Sequence, residues 1–290
     1  MKLSVLLPSY RYDCRPLVRA LLPMMPAEGE IIVGDDCSAT PESDIYLAEM
    51  EGWSGVRVLR KSKNGGSAAM RNTLAREAQG EYLLYLDCDG IPADDTFLST
   101  YLQLLPTEEI ICGSVRNVET LPSPDVKLRY VYERHAERRF TAEERNRHPY
   151  QNFRTFNFLV PREIMLRCPF DETVSLSGYE DTLAGRALCQ AGIPIRHIEN
   201  ALLNVGLEEN HAYLKKVERQ LGTLHEKRHL LTGYSSLLDF YTRLDRAHLS
   251  GAVRLFHRTF ASCERRNLLS SHPSVWVLQL YKLGTYASLR

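Results

Sequence analysis

Of 290 residues, 44% are hydrophobic and 25% charged, with 36 Lys and Arg balancing 36 Asp and Glu. That composition excludes a disordered chain, a collagen-like fibre and a disulfide-stapled miniprotein, and it predicts one large domain with an extension, or two domains. Seven cysteines, an odd number with no C-x-x-C pair, argue against a disulfide framework or a zinc ribbon and fit a reducing cytoplasm.

The apolar run Leu3–Leu7, closed by Pro8, predicts a first strand. It is shorter than the core of a secretory signal and lacks a small-residue cleavage site. Pro16 suits a first helical turn, and Leu17, Val18, Leu21 and Leu22 give that helix a stripe. Ile31–Val33 predicts a second strand ending in Gly34-Asp35-Asp36, residues 43–51 a helix, and Val56–Leu59 a third strand. Asn64-Gly65-Gly66 leads into a helix from Ser67, with Met70, Leu74 and Ala78 on one face and Gly80 as its stop. Tyr82–Leu86 predicts a fourth strand ending in Asp87-Cys88-Asp89-Gly90, and Ile110–Cys112 a fifth. Residues 120–152 are charged and punctuated by proline, with a helix predicted over Asp125–Arg139. Phe156–Val160 reads as a strand and Glu180–Ala191 as a helix stopped by Gly192. From about Asn210 the pattern is wholly helical, with Leu214, Val217, Leu221 and Leu224 on one stripe.

The charge is uneven along this order. Residues 1–210 hold 23 basic and 31 acidic side chains, and residues 211–290 hold 13 and 5. The basic tail is open to two readings, a solvated helical surface or a surface for anionic membrane or a phosphorylated partner. No apolar run approaches the roughly 20 residues of a spanning helix, so membrane contact is expected to be peripheral. Trp276, Leu278, Leu280 and Tyr281 could pack on the main domain, dimerise, or lie on lipid.

Strands alternating with helices predict an α/β fold with a mostly parallel sheet covered on both faces, and ligands in such sheets bind beyond the carboxyl ends of the strands. Ser9-Tyr10, Asp35-Asp36 and Asp87-Cys88-Asp89 all follow strands, so topology gathers them at one edge. Asp87 and Asp89, two apart, share a face; paired carboxylates suit Mg²⁺ or Mn²⁺ shared with a phosphate, and they equally suit a solvated turn. Asp35-Asp36 is an Asx turn or an acceptor for a base or ribose, and Tyr10 offers a stacking face or simple packing. Gly65-Gly66 before a helix resembles a phosphate-binding turn without the ending of a P-loop, with Arg71 one turn on. In Gly178-Tyr179-Glu180-Asp181 the acids suit a helix dipole or a general base.

Taken in order, these segments resemble the family-two glycosyltransferases of GT-A fold. The resemblance runs from Val5-Leu6-Leu7-Pro8-Ser9-Tyr10 through Asp35-Asp36, Asn64-Gly65-Gly66, Arg71-Asn72, Asp87-Cys88-Asp89 and Phe156-Asn157-Phe158 to Gly178-Tyr179-Glu180-Asp181-Thr182. It covers roughly residues 3–205, and Gly206-Leu207-Glu208-Glu209-Asn210 with Lys215-Lys216 is similar to bacterial members. It implies a GT-A catalytic domain over residues 1–208 and a basic helical extension over 209–290. It further implies a nucleotide-binding set of Pro8, Tyr10, Asp36, Arg71 and Asp87, with Mn²⁺ or Mg²⁺ on Asp89. Asp181 is implied as catalytic base, with Glu180, Asn157, Gly178 and Tyr179 beside the sugars. The activity implied is inverting transfer from a nucleotide sugar, most simply UDP-linked, to a glycan or lipid-linked glycan in bacterial surface polysaccharide or lipopolysaccharide synthesis. Its setting is the cytoplasmic membrane face, with no nucleic-acid partner and self-association left open. Where relatives carry a third metal-binding His, this sequence has Asn204, with His211 nearby as a substitute, and Leu183 replaces a later acid. Two alternatives stand: a sugar-phosphate nucleotidyltransferase, which would need a basic Gly-rich loop where Ser9-Tyr10-Arg11-Tyr12-Asp13 stands, and a non-catalytic relative that binds nucleotide sugar.

Overall fold

Three almost uninterrupted apolar runs and one half-exposed run become a parallel block: β1 (Leu3–Ser9), β2 (Glu30–Asp35), β3 (Val56–Arg60) and β4 (Tyr82–Leu86). Between them lie α1 (Arg15–Leu21), α2 (Pro41–Glu51) and α3 (Gly66–Glu77). The computed structural model describes residues 2–173 and 178–289. β1 pairs with β2 and β4, and β2 with β3, all parallel, with Val5 opposite both Ile31 and Leu84. Strands buried on both faces need no polar alternation, which is why β2 and β4 are apolar on successive residues.

The chain continues through β5 (Gly90–Pro92), α4 (Phe97–Leu102), β6 (Ile110–Asn117), α5 (Lys127–Arg139), α6 (Ala142–Arg147), β7 (Asn157–Pro161), α7 (Arg162–Arg167), α8 (Glu180–Gln190) and β8 (Ile195–Asn204). One eight-stranded sheet results, in the order β3-β2-β1-β4-β7-β6-β8-β5. β7 runs antiparallel to β4, setting Tyr85 against Phe158 as rings stacked 4.8 Å apart. Two strands lack a predicted counterpart. β5 is three residues long and contains Pro92, and Arg196, Glu199 and Asn200 interrupt the apolar pattern of β8. The helix expected from Asp125 begins at Lys127, because Pro124–Val126 forms a tighter 3-10 turn.

The chain forms two compact units. The first comprises Met1–Arg116, Thr141–Ser175 and Ala184–Gly206. Its sheet has a core on each face, set by the strand period of two. Leu3, Val5 and Leu7 pack with α1, α2 and α4, while Leu6, Ile32, Leu83 and Tyr85 pack with α3 and α7.

The second unit comprises Asn117–Phe140, Leu176–Leu183 and Leu207–Arg290. It holds α5 and the helices α9 (Asn210–Glu226), α10 (Arg228–Leu231), α11 (Ser236–Arg246), α12 (Ser250–Leu268) and α13 (Val275–Ser288). The stripe Leu214, Val217, Leu221 and Leu224 of α9 is buried, as the 3.6-residue period requires. Asn210 clips the start of α5 by accepting the Leu128 N–H at 2.7 Å. Among the described residues no helix is long and apolar enough to cross a membrane.

Candidate active site

In the first unit, Ser9, Asp35 and Leu86 end three adjacent parallel strands, and the polar residues that follow them share one sheet edge. Asp35 closes an Asx turn, accepting the Ser38 N–H at 3.1 Å and the Ser38 hydroxyl. That turn also takes the Arg11 N–H onto the Ser38 hydroxyl at 2.7 Å, tying the loop after β1 to the loop after β2.

Asp36 is buried, and its carboxylate sits at the start of α3. It accepts the Gly65 N–H on both oxygens (3.0 and 3.1 Å), the Gly66 N–H at 2.6 Å, and Lys61 Nζ at 3.1 Å. A helix N-terminus with open amides attracts an anion, and here the anion is this side chain. The Gly65-Gly66 turn expected to cradle phosphate is therefore already engaged by Asp36. Lys61 went unmarked in the sequence because it lies in the run Arg60-Lys61-Ser62-Lys63, where nothing distinguishes it from Lys63.

Arg71, buried on α3, reaches Asp87 with Nη2 to Oδ1 at 2.7 Å and lies 5.7 Å over the Phe170 ring. Asp89 follows on the same turn. Gly90 pairs with Asn204 of β8, so Asn204 is brought beside Asp89, and Val205 N–H donates to the Asp89 carbonyl at 3.0 Å. Asn204 is buried and accepts the Gly206 N–H on Oδ1 at 3.2 Å. Gly206 was unmarked as a site residue in the sequence. A Cβ there would lie 2.4 to 2.9 Å from Cβ, Oδ2 and Cγ of Asp89, so only glycine lets the backbone pass so close. Asp35, Asp36, Asp87 and Asp89 crowd one edge, where Lys61 meets Asp36 and Arg71 meets Asp87. Its field reaches neighbouring acids. Burial, then Asp89, pushes the Tyr12 phenol up to about 12, and burial, then Asp89 and Asp87, pushes the Cys88 thiol well up.

Tyr10 is 46% exposed, with the Arg11 guanidinium 5.1 Å from its ring centroid. Pro8 lies inside β1, opposite Gly34 of β2. Asn157 is buried on β7. It is 2% exposed; its Oδ1 accepts the Tyr101 hydroxyl at 2.6 Å, and its Nδ2 donates to the carbonyls of Asn200 (2.9 Å) and Ser114 (3.3 Å). Its amide knits β6, β7 and β8 together.

In the second unit, Gly178 and Tyr179 both have positive φ, 114° and 69°, immediately before α8. For tyrosine that conformation is strained. Gly178 N–H donates to Glu180 Oε2 at 2.8 Å, and Asp181 lies in the first turn of α8. His211 is exposed on the first turn of α9. Among the described residues no group of three or more His, Cys, Asp or Glu forms a ready-made cation cluster.

The fold is that of solved GT-A transferases. A Pyrobaculum calidifontis mannosyltransferase, PcManGT, in complex with GDP-Man and Mn²⁺ superposes with a TM-score of 0.60 at 15% identity, covering 98% of this chain and 85% of that one. S. aureus TarS 1-349 in complex with UDP-GlcNAc gives 0.53 at 16% identity, covering 99% and 90%. The Glycosyl transferase family 2 model matches residues 4–166, more than half of the sequence, and the chain belongs to that family. Curated relatives match over much less of their length, 17% to 35% of each. One, a poly(ribitol-phosphate) beta-glucosyltransferase of Bacillus spizizenii, is 32% identical over 106 residues, 35% of this chain and 17% of its own.

Proposed function

We propose that this protein transfers a sugar, with inversion, from a UDP-linked donor to a hydroxyl of a bacterial surface polysaccharide or lipopolysaccharide precursor, at the cytoplasmic face of the membrane. The single observation that carries the reading is the convergence of Asp36, Asp87, Asp89 and Arg71 on one sheet edge in a family 2 chain. The UDP-GlcNAc of TarS supports the donor class. The relative named for glucosylating poly(ribitol-phosphate) supports a polymeric acceptor. Residues 1–208 form the catalytic part in this reading, and residues 209–290 the extension.

The donor set at the edge suits a hard divalent cation such as Mn²⁺. Asp89 and the carbonyl oxygen of Asn204 would hold it as oxygen ligands, with the remaining positions left to diphosphate and water. When bound, such a cation stabilises negative charge on the departing nucleoside diphosphate. Tyr10 gives the base a flat ring, and Asp87, held by Arg71, faces the ribose. Asp36 acts through α3, fixing the helix that carries Arg71.

Asp181 takes the proton of the acceptor hydroxyl as its oxygen bonds to the anomeric carbon. The bond from that carbon to the phosphate oxygen breaks on the opposite face, so configuration inverts in one displacement. Glu180, Gly178 and Tyr179 border the sugars, the positive-φ pair Gly178-Tyr179 setting the entry of α8.

The test offers the protein UDP- and GDP-sugars with Mn²⁺ and follows nucleotide binding and nucleoside diphosphate release. Asp181→Asn is expected to keep donor affinity and to lose transfer by roughly 10² to 10⁴. Full activity in that variant would refute the base, and binding of no nucleotide sugar would refute the proposal.

A further inference from the structure

Among the described residues twelve large apolar side chains stand exposed, and seven of them fall between residues 240 and 280. Phe240, Phe256, Phe260, Trp276 and Leu280 are among them, Trp276 being 80% exposed. Random scatter of single apolar residues is ordinary; concentration in one helical segment is not. The helices concerned are α11, α12 and α13 of the second unit. α12 runs for 19 residues and buries only Glu264 and Leu268. Phe256 and Phe260, one turn apart on its open side, have ring centroids 4.8 Å apart. α13 lies antiparallel to α12: Arg254 Nε donates to the Ala287 carbonyl at 3.0 Å, and the His257 ring meets the Tyr281 ring at 5.4 Å. This register brings Phe260 level with the turn of α13 that holds Leu280, and Trp276 stands one turn further along. Leu278 and Tyr281 occupy the inward face of α13, so its apolar content is split between packing and exposure.

The charge on the same helices is one-sided. Residues 236–289 carry seven Lys and Arg against three Asp and Glu. Glu264, one of those three, is buried with an oxygen 2.7 Å from His257. Arg243, Arg246, Arg258 and Arg266 are exposed.

We infer that the α11–α13 face docks on an anionic lipid bilayer. The phenylalanine rings and Trp276 enter the boundary between headgroups and acyl chains, and the arginines meet lipid phosphates. A second copy of the chain fits the face less well, since it would set two surfaces of the same positive sign against each other. Spanning is excluded for these helices by their length and polarity. The inference stands apart from the catalytic reading, because none of these residues belongs to the site proposed for the donor.

Full-length protein is sedimented with vesicles of phosphatidylcholine alone and of phosphatidylcholine with about one-third phosphatidylglycerol, at about 50 and about 500 mM NaCl. Binding to anionic vesicles is expected to be at least about tenfold tighter than to neutral ones and to collapse at high salt, as for polybasic surfaces. Phe256→Ser with Phe260→Ser, and separately Arg258→Gln with Arg266→Gln, should each weaken it about tenfold, leaving Tm and nucleotide-sugar binding as they were. Trp276 emission should shift to the blue with anionic vesicles only. Equal affinity for both vesicles overturns the inference, and so do variants that bind like the parent. A concentration-dependent dimer that the Phe pair disrupts, without vesicle binding, overturns it in favour of self-association. Vesicle binding by a protein that turns over no donor would leave this inference intact and sink the catalytic one.

Discussion

Acidification should loosen this fold at His197. His197 is buried in β8, its Nδ1 3.0 Å from an Arg145 nitrogen and its Nε2 3.0 Å from the Pro149 carbonyl. A guanidinium only donates and a carbonyl only accepts, so the ring must be neutral, with its proton on Nε2. Arg145 also donates to the carbonyls of Gly113 at 2.8 Å and Ile198 at 2.9 Å, and Asn146 pairs with the His197 backbone through both its amide groups. Together they fasten α6 to β8, the strand that ends at Asn204. Burial, opposed by the Pro149 contact and aided by Arg145, takes the imidazole down to about 4 from its ordinary 6.5. The folded value lies below the unfolded one, so the contribution is whole above pH 6.5 and is lost as pH falls towards 4. The full difference is worth about 3 kcal/mol, and about 2 kcal/mol of it is gone by about pH 5. His197→Gln keeps an acceptor for Arg145 and a donor for Pro149 but does not titrate. Urea unfolding of parent and variant at about pH 7.5 and about pH 5 should show the parent losing about 2 kcal/mol more than the variant. Equal losses would refute a neutral, buried imidazole.

Asn157→Ala should cost about 2–4 kcal/mol, because it strips partners from the Tyr101 hydroxyl and two buried carbonyls, while donor affinity in the remaining folded protein is unchanged. A stable variant with impaired sugar binding would instead place Asn157 beside the sugars. Gly206→Ala places a methyl within 2.4 to 2.9 Å of three Asp89 atoms. Since Asp89 must turn aside, Mn²⁺-dependent donor binding should weaken about tenfold or more with Tm altered by only a few degrees, and unaltered binding would detach Asp89 from the cation. Acid should also loosen β2 at Glu30. Burial alone would raise its carboxyl, but the Ser4 hydroxyl, the Gln79 N–H and Arg57 hold it below the usual range. That stabilisation is present above the ordinary glutamate value and fades as pH falls through the lowered one. Glu30→Gln should therefore flatten the acid limb of a stability-against-pH curve, and an unchanged limb would contradict this.

Strand positions and strand ends were readable because they are local. Tyr82–Leu86 is apolar over its whole length and stops at an aspartate, and a parallel topology then sends every such stop to one edge. The stripe of α9 was equally readable from its period. Partners were not. Nothing near Asp36 in the sequence says that its carboxylate caps a helix 30 residues on, or that Lys61 rather than Lys63 meets it. Phe156-Asn157-Phe158 belongs to the resemblance by residue type, and nothing in it says that the Asn157 amide meets Tyr101 from α4 and Asn200 from β8. β8 escaped notice for the same reason. Its Arg196, Glu199 and Asn200 break the apolar pattern, and the partners of His197 and Asn200 come from α6 and the start of α4. A residue's own neighbours along the chain decide which backbone it prefers. Which buried donor faces which acceptor depends on contacts between segments far apart in the chain, and those exist only once the sheet has closed.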